Sequence, residues 1–185
     1  TRVPPDTRIE ISVQNRDDSE ITSLELRAEI EYESLFRTIP SLNQDQLALP
    51  VEGEVLDDSQ LGYIRVISFN DDYHLMANLW ETHIQALIDN EIQGLIIDLR
   101  SNSGGSSSLA YDFAGYVFDE EIYLYESSYY NNNSKQFEPT GYPARVTPGP
   151  LLYEGPVAVL VGPDCVSACE GFADALSRND RAVVI

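Results

Sequence analysis

Lysine is almost missing from this chain. Lys135 is the only one among 185 residues, and Lys and Arg together number 11 against 31 Asp and Glu, for a formal charge of −20. Such a balance excludes a phosphate-backbone partner such as nucleic acid and leaves a well-hydrated surface with a mild preference for cationic ligands. Histidine is limited to His74 and His83 and cysteine to Cys165 and Cys169. No C-x-x-C pair and no neighbouring His accompany those cysteines, so neither a metal nor any other cofactor is expected. No apolar run approaches the ~20 residues of a transmembrane helix, and the first residues show no signal-peptide pattern. The chain opens on Thr1 and closes on Arg181-Ala182-Val183-Val184-Ile185, which reads as a strand without a following turn. A piece of a longer protein, trimmed at both ends, is the expectation, with any export signal lying upstream.

What is present is a 43% share of apolar residues, enough for one core. Residues 1–39 alternate apolar and polar side chains, as in Arg8–Val13 and Ile21–Ile30, around the turn residues Asn15-Arg16-Asp17-Asp18. This predicts a β-rich segment with a hairpin. Residues 40–60, with Pro40, Pro50 and many acidic residues, read as a connector. From residue 61 strands and helices alternate. Leu61–Phe69 is a strand, Asn70-Asp71-Asp72 supplies helix-start chemistry, and a helical face runs to about Asn90. Gly94–Arg100 is a second, near-continuously apolar strand, Ser101–Gly105 a tight turn, and residues 107–118 a helix. Glu121–Tyr129 reads as a strand, and residues 130–155, rich in Asn, Pro and Gly, as loop or flap. A strand at Pro156–Val161, a helix at Ala168–Arg178 and a strand at Val183 complete the order. The fold class is α/β with a mostly parallel sheet, preceded by the β-rich segment.

Two strand-to-helix turns carry unusual residues, Asn102-Ser103-Gly104-Gly105 and Cys165-Val166-Ser167-Ala168. Sites in such sheets form at the carboxyl ends of strands, which is where both turns fall. A serine between strand and helix can project its hydroxyl into a cleft beside the free N–H groups of the helix start. The same position is the usual place of an N-capping serine, so on this segment alone both roles stand. The glycine pair lacks the spacing of a dinucleotide or P-loop motif. It suits a turn needing positive φ, and equally a backbone N–H that approaches a reacting carbonyl; with Ala168 it would make a two-donor oxyanion hole. His74 and His83 read as solvent-facing helix residues and Lys135 as a solvated loop residue. Arg65 and Arg100 read as positioning or ion-pair groups, since Arg cannot serve as a base. Glu170 in the first helical turn is accounted for by the helix dipole. Cys165 and Cys169 are spaced to face each other over one turn, but Cys165 precedes the helix. Two partly buried free thiols are expected rather than a disulfide, and the compartment is not read from them.

In order, Leu61-Gly62-Tyr63-Ile64-Arg65-Val66, Leu95-Ile96-Ile97-Asp98-Leu99-Arg100-Ser101-Asn102-Ser103-Gly104-Gly105, Gly155–Val161 and Ser167-Ala168-Cys169-Glu170 resemble the C-terminal processing (tail-specific) serine peptidases. The resemblance covers roughly residues 60–185. It implies a ClpP/crotonase-like core of repeated strand-strand-helix units over residues 61–185, truncated at its C-terminal end. It implies Ser167 as nucleophile, an oxyanion hole from Gly104 or Gly105 and the Ala168 N–H, and a lysine base lying beyond Ile185, not Lys135. Residues 1–39 resemble the closing strands of the PDZ domain that precedes such cores. Arg65 stands where tricorn-type relatives have a His, which favours the lysine-dependent branch, and Cys165 stands where Thr or a small residue is common. The implied substrates are proteins or peptides, taken near unfolded or apolar C-termini, and the implied location is exported. A non-catalytic binding module of the same fold is the alternative. Acyl-CoA chemistry, which crotonases perform on this fold, would want basic residues that this acidic chain lacks.

Overall fold

The computed structural model describes residues 7–13, 22–27, 49–56 and 59–185. The chain divides into two units, Thr1–Leu49 and Pro50–Ile185. In the first, β1 (Arg8–Val13) pairs antiparallel with β2 (Thr22–Arg27), with Arg8 opposite Arg27 and Glu10 opposite Glu25. The alternation read from the sequence is thus a two-stranded ladder, whose turn at Asn15–Asp18 lies outside the described residues.

The second unit is built on a five-stranded sheet of β3 (Val51–Leu56), β4 (Leu61–Val66), β5 (Gly94–Asp98), β10 (Val157–Leu160) and β11 (Ala182–Val184), in the spatial order β11-β10-β5-β4-β3. The last four pair parallel and β3 closes the edge antiparallel to β4. The helices α1 (Tyr73–Asp89), α2 (Ser107–Ala114) and α3 (Ala168–Ser177) connect the parallel strands. This is the α/β order with a mostly parallel sheet that the sequence implies. Two small antiparallel ribbons lie between α2 and β10: β6 (Ile122–Tyr125) with β9 (Ala144–Val146), and β7 (Ser128–Asn131) with β8 (Gln136–Pro139).

The structure departs from the sequence reading in three segments, of which Glu121–Tyr129, read as one strand, is split between β6 and β7 in separate ribbons. Residues 51–56 are strand, not connector, because Val51 and Val55 alternate with Glu52 and Glu54, and the Arg65 guanidinium lies 3.6 Å from Glu52. Residues 130–155 hold β8, β9 and the end of β7 rather than an open flap, since Asn131 and Glu138 tie one ribbon together at 2.9 Å.

Burial alternates along β4. Gly62, Ile64 and Val66 are buried, whereas Leu61, Tyr63 and Arg65 are half-exposed. The buried row continues through Leu95, Ile97 and Val159. Over it the three helices meet in an aromatic cluster. Trp80 of α1 stacks on Phe113 of α2 with ring centroids 4.6 Å apart and planes at 7°, while Phe69 and Phe172 of α3 close the edges. Trp80 is fully buried. Trp80→Ala is therefore expected to cost about 3–5 kcal/mol, the usual range for emptying a large aromatic site. Urea unfolding followed by far-UV circular dichroism measures it, because Trp80 is the only tryptophan and its fluorescence goes with it.

Candidate active site

β5 ends in a side-chain clasp. Asp98 is buried, and its carboxylate accepts from Arg100 Nε at 3.0 Å, Arg100 Nη2 at 2.7 Å, the Arg100 backbone N–H at 3.0 Å and the Tyr63 hydroxyl at 2.6 Å. The Arg100 guanidinium is the largest influence and, with the Tyr63 hydroxyl and the backbone N–H, holds the carboxyl at about 2 against an ordinary 3.8; burial opposes this. A depressed folded value stabilises the fold above the ordinary carboxyl pKa, and that contribution is lost as pH falls through about 2. Wild type is therefore expected to lose about 2 kcal/mol more than Asp98→Asn between pH 4 and pH 2. Denaturation series at several pH values read the difference, and parallel curves would refute it.

Beyond this clasp the chain turns sharply. Asn102 is fully buried, its Nδ2 donates to the Val66 carbonyl at 3.1 Å, and its Oδ1 accepts the Gly104 N–H at 2.8 Å. The Gly104 carbonyl in turn accepts the Phe69 N–H at 2.8 Å, and the Ser106 N–H donates to the Phe69 carbonyl at 2.9 Å. The turn is thus sewn onto the chain that continues β4. Gly104 and Gly105 have φ of +88° and +137°, conformations that glycine adopts without penalty. A methyl group on Gly104 would sit 2.5 Å from the Val166 carbonyl oxygen, 3.0 Å from Ser167 Cβ and 3.2 Å from Ala168 N. Gly104 and the start of α3 are therefore in direct contact, so the structure brings Gly104, Ser167 and Ala168 together, while Gly105, the next residue, packs against Phe69 and Asn70.

Ser167 is exposed and precedes α3 with φ +58° and ψ −119°. Its N–H donates to Glu170 Oε2 at 2.8 Å. Ser167 and Glu170 form a capping box, so what separates this helix start from the other two is the backbone angle. Asp72 before α1 has φ −56° and Ser106 before α2 has φ −76°, and each side chain accepts a helix N–H, from Leu75 at 2.9 Å and from Leu109 at 3.3 Å. Those are ordinary N-caps. A non-glycine residue at positive φ is uncommon and costs about 1–3 kcal/mol, and such residues gather at functional sites.

Of the N–H groups of Gly104, Gly105, Ser167 and Ala168, two are occupied: that of Gly104 by Asn102 and that of Ser167 by Glu170. The N–H groups of Gly105 and Ala168 meet no acceptor among the described residues. The Ala168 N–H, at a helix start in contact with Gly104 and next to the exposed Ser167, is a donor open to an acceptor.

Cys165 and Cys169 form a disulfide, with Cα atoms 5.3 Å apart, where free thiols were expected. Cys165 does precede the helix, but the turn at 163–167 folds back over the first turn of α3 and brings the two within bonding range. His74 is exposed, whereas His83 is half-buried against Gly53 of β3, and this burial lowers its pKa. Lys135 lies exposed in the β7–β8 turn. Arg65 and Arg100 are ion-paired as expected, to Glu52 and Asp98. Asn102 is the residue whose part the sequence reading missed. Its signal was an Asn two places before a glycine pair, the composition of a side chain that closes its own turn.

Residues 60–185 match the family described as Peptidase family S41. The chain is 30% identical over 136 residues to carboxyl-terminal-processing peptidase 2, chloroplastic, of Arabidopsis thaliana, covering 74% of this chain and 24% of that protein. It is 30% identical over 152 residues to the carboxyl-terminal-processing protease of Synechocystis sp., covering 78% and 32%. The chain thus spans about a quarter to a third of the length of these curated relatives. The solved photosystem II D1 C-terminal processing protease is similar in fold, with a TM-score of 0.58 at 19% identity over 97% of this chain and 43% of that one. The matched stretch holds the parallel sheet, the glycine turn and the Ser167 elbow, and through it this chain belongs to peptidase family S41.

Proposed function

We propose that this chain carries the nucleophile and oxyanion hole of a serine endopeptidase of the C-terminal processing type. The observation that carries the proposal is the backbone of Ser167. At φ +58° it is set apart from the two ordinary N-caps of the same unit, and it stands next to the open Ala168 N–H and in contact with Gly104. A strained strand-to-helix turn that lifts a serine hydroxyl out of the fold is how nucleophilic serines are displayed.

In this reading Ser167 Oγ bonds to the scissile carbonyl carbon as its proton passes to a lysine supplied from outside residues 1–185. That lysine is neutral at working pH only when burial lowers its pKa. The negative charge on the carbonyl oxygen is received by the N–H groups of Ala168 and of the glycine turn. Gly105 is the open donor of that turn, since the Gly104 N–H is engaged by Asn102. Each such donor contributes about 3 kcal/mol in the transition state. The leaving amine takes the proton, and water then releases the acyl group from Ser167. Residues 1–185 alone are expected to hydrolyse nothing through Ser167, because the base in this reading is not Lys135, an exposed residue of the β7–β8 turn. The substrates are polypeptides with unfolded or apolar C-termini, and an exported location is supported by the disulfide, a bond that persists in oxidising compartments.

Digestion of casein by the full-length protein, wild type against Ser167→Ala, is the test. Loss of cleavage in the variant supports the nucleophile. Equal cleavage refutes it, and no cleavage by either folded protein turns the reading to the binding module.

A further inference from the structure

The disulfide sits where the proposed chemistry is most sensitive to backbone position. Cys165 and Cys169 are four residues apart, and Ser167 is midway between them. Cys169 is fully buried on α3, so one end of the bond is fixed in the core. Cys165 is half-buried in the turn, its N–H donating to the Gly162 carbonyl at 3.0 Å, so the other end faces the solvent side. Within the loop that the bond closes, the Cys169 N–H donates to the Val166 carbonyl at 3.2 Å. That same carbonyl is the atom most closely faced by Gly104. The bond therefore ties together the peptide before Ser167, the first turn of α3 and the wall formed by the glycine turn. Without it, the backbone at 165–167 is tethered by the hydrogen bonds at Cys165, Cys169 and Glu170, and a serine before a helix has the ordinary negative-φ capping conformation open to it.

We infer that Cys165 and Cys169 are positioning residues for Ser167, and that their disulfide holds the serine elbow in its positive-φ form, so that reduction of the bond lowers turnover. The inference rests on the reading of Ser167 as the nucleophile. The reducing step is an exchange with a dithiol. Its two thiolates supply two electrons, the Cys165–Cys169 bond breaks, each cysteine takes up a proton as a thiol, and the reductant closes to its own disulfide. A disulfide-form oxidant, glutathione disulfide, reverses it. A small displacement of a nucleophile relative to its oxyanion donors costs rate and not binding, so the loss falls on kcat.

The test uses the full-length protein in three forms: oxidised, reduced with dithiothreitol and shown by thiol titration to hold two free thiols, and the double variant Cys165→Ala/Cys169→Ala. Each is compared with the same form carrying Ser167→Ala. In the reduced protein and in the double variant, kcat is expected to fall between about tenfold and a hundredfold with KM within twofold. Circular dichroism is expected to show the fold intact. Glutathione disulfide is expected to restore the wild type and leave the double variant unchanged. A reduced protein with full Ser167-dependent kcat overturns the inference. If the oxidised protein shows no Ser167-dependent turnover, it is the nucleophile reading that fails. The positioning role is then judged by the amide chemical shifts of Gly104, Gly105, Ser167 and Ala168 in the oxidised and reduced protein. Shifts confined to these residues support it, and unchanged shifts overturn it.

Discussion

Replacing Ser167 by Ala in the full-length protein is expected to lower kcat by about 10⁴-fold or more while KM stays within a few fold and stability changes by less than about 1 kcal/mol. The rate loss follows from the role: without Oγ no acyl-enzyme forms, and what is left is the help given by binding and the oxyanion donors. The small change in stability follows from the structure. Ser167 is exposed, and the hydrogen bond that fixes its backbone runs from its N–H to Glu170, which an alanine keeps. Ser167→Gly is a second variant without the hydroxyl. Glycine occupies φ +58° freely, so it is expected to be equally inactive yet more stable than Ser167→Ala by about 1 kcal/mol. An N-capping serine would differ in turnover, which would survive, whereas glycine would exceed alanine in stability under either role. Steady-state kinetics on the three proteins decides between the two, and thermal melts show that each is folded.

The comparison of sequence and structure turns on what a local pattern can encode. The strands β5 and β10 and the helices after them were legible, because unbroken apolar runs end in Asn102-Ser103-Gly104-Gly105 and in Asp164-Cys165-Val166-Ser167. That order alone placed both turns at one sheet edge. Strand β3 was not legible, since Pro50 and the acidic residues around it hide an edge strand whose Glu52 is answered by Arg65 on the neighbouring strand. The disulfide was missed for a related reason. A four-residue spacing was judged by helical geometry, and the bond depends on the turn outside the helix. The two roles of Ser167 have one sequence signature, a serine ahead of a helix. A backbone angle separates them, and no residue pattern here specifies it. Asn102 shows the same limit. Its composition announces a turn, and its burial between Val66 and Gly104 comes from the partner strand.

Gly104→Ala is expected to be strongly damaging, and its damage falls on the contact between the glycine turn and the start of α3. Its Cβ has no direction in which to yield, because the nearest atom is the Val166 backbone oxygen at 2.5 Å and the next is Ser167 Cβ at 3.0 Å. The residue must also hold φ +88°, which alanine resists. Together these are expected to cost about 2–4 kcal/mol in denaturant unfolding. The strain is relieved only by moving the turn or the elbow, and either movement shifts the open N–H groups against the hydroxyl. Turnover per folded molecule is therefore expected to fall by about 10²- to 10³-fold, comparable to the loss of an oxyanion donor. Ser103→Ala, one residue earlier and exposed, is the control and is expected to change neither quantity. A Gly104→Ala protein that loses stability but keeps its turnover per folded molecule would show that the contact between the turn and α3 serves packing alone. The two open N–H groups would then no longer stand as the oxyanion hole.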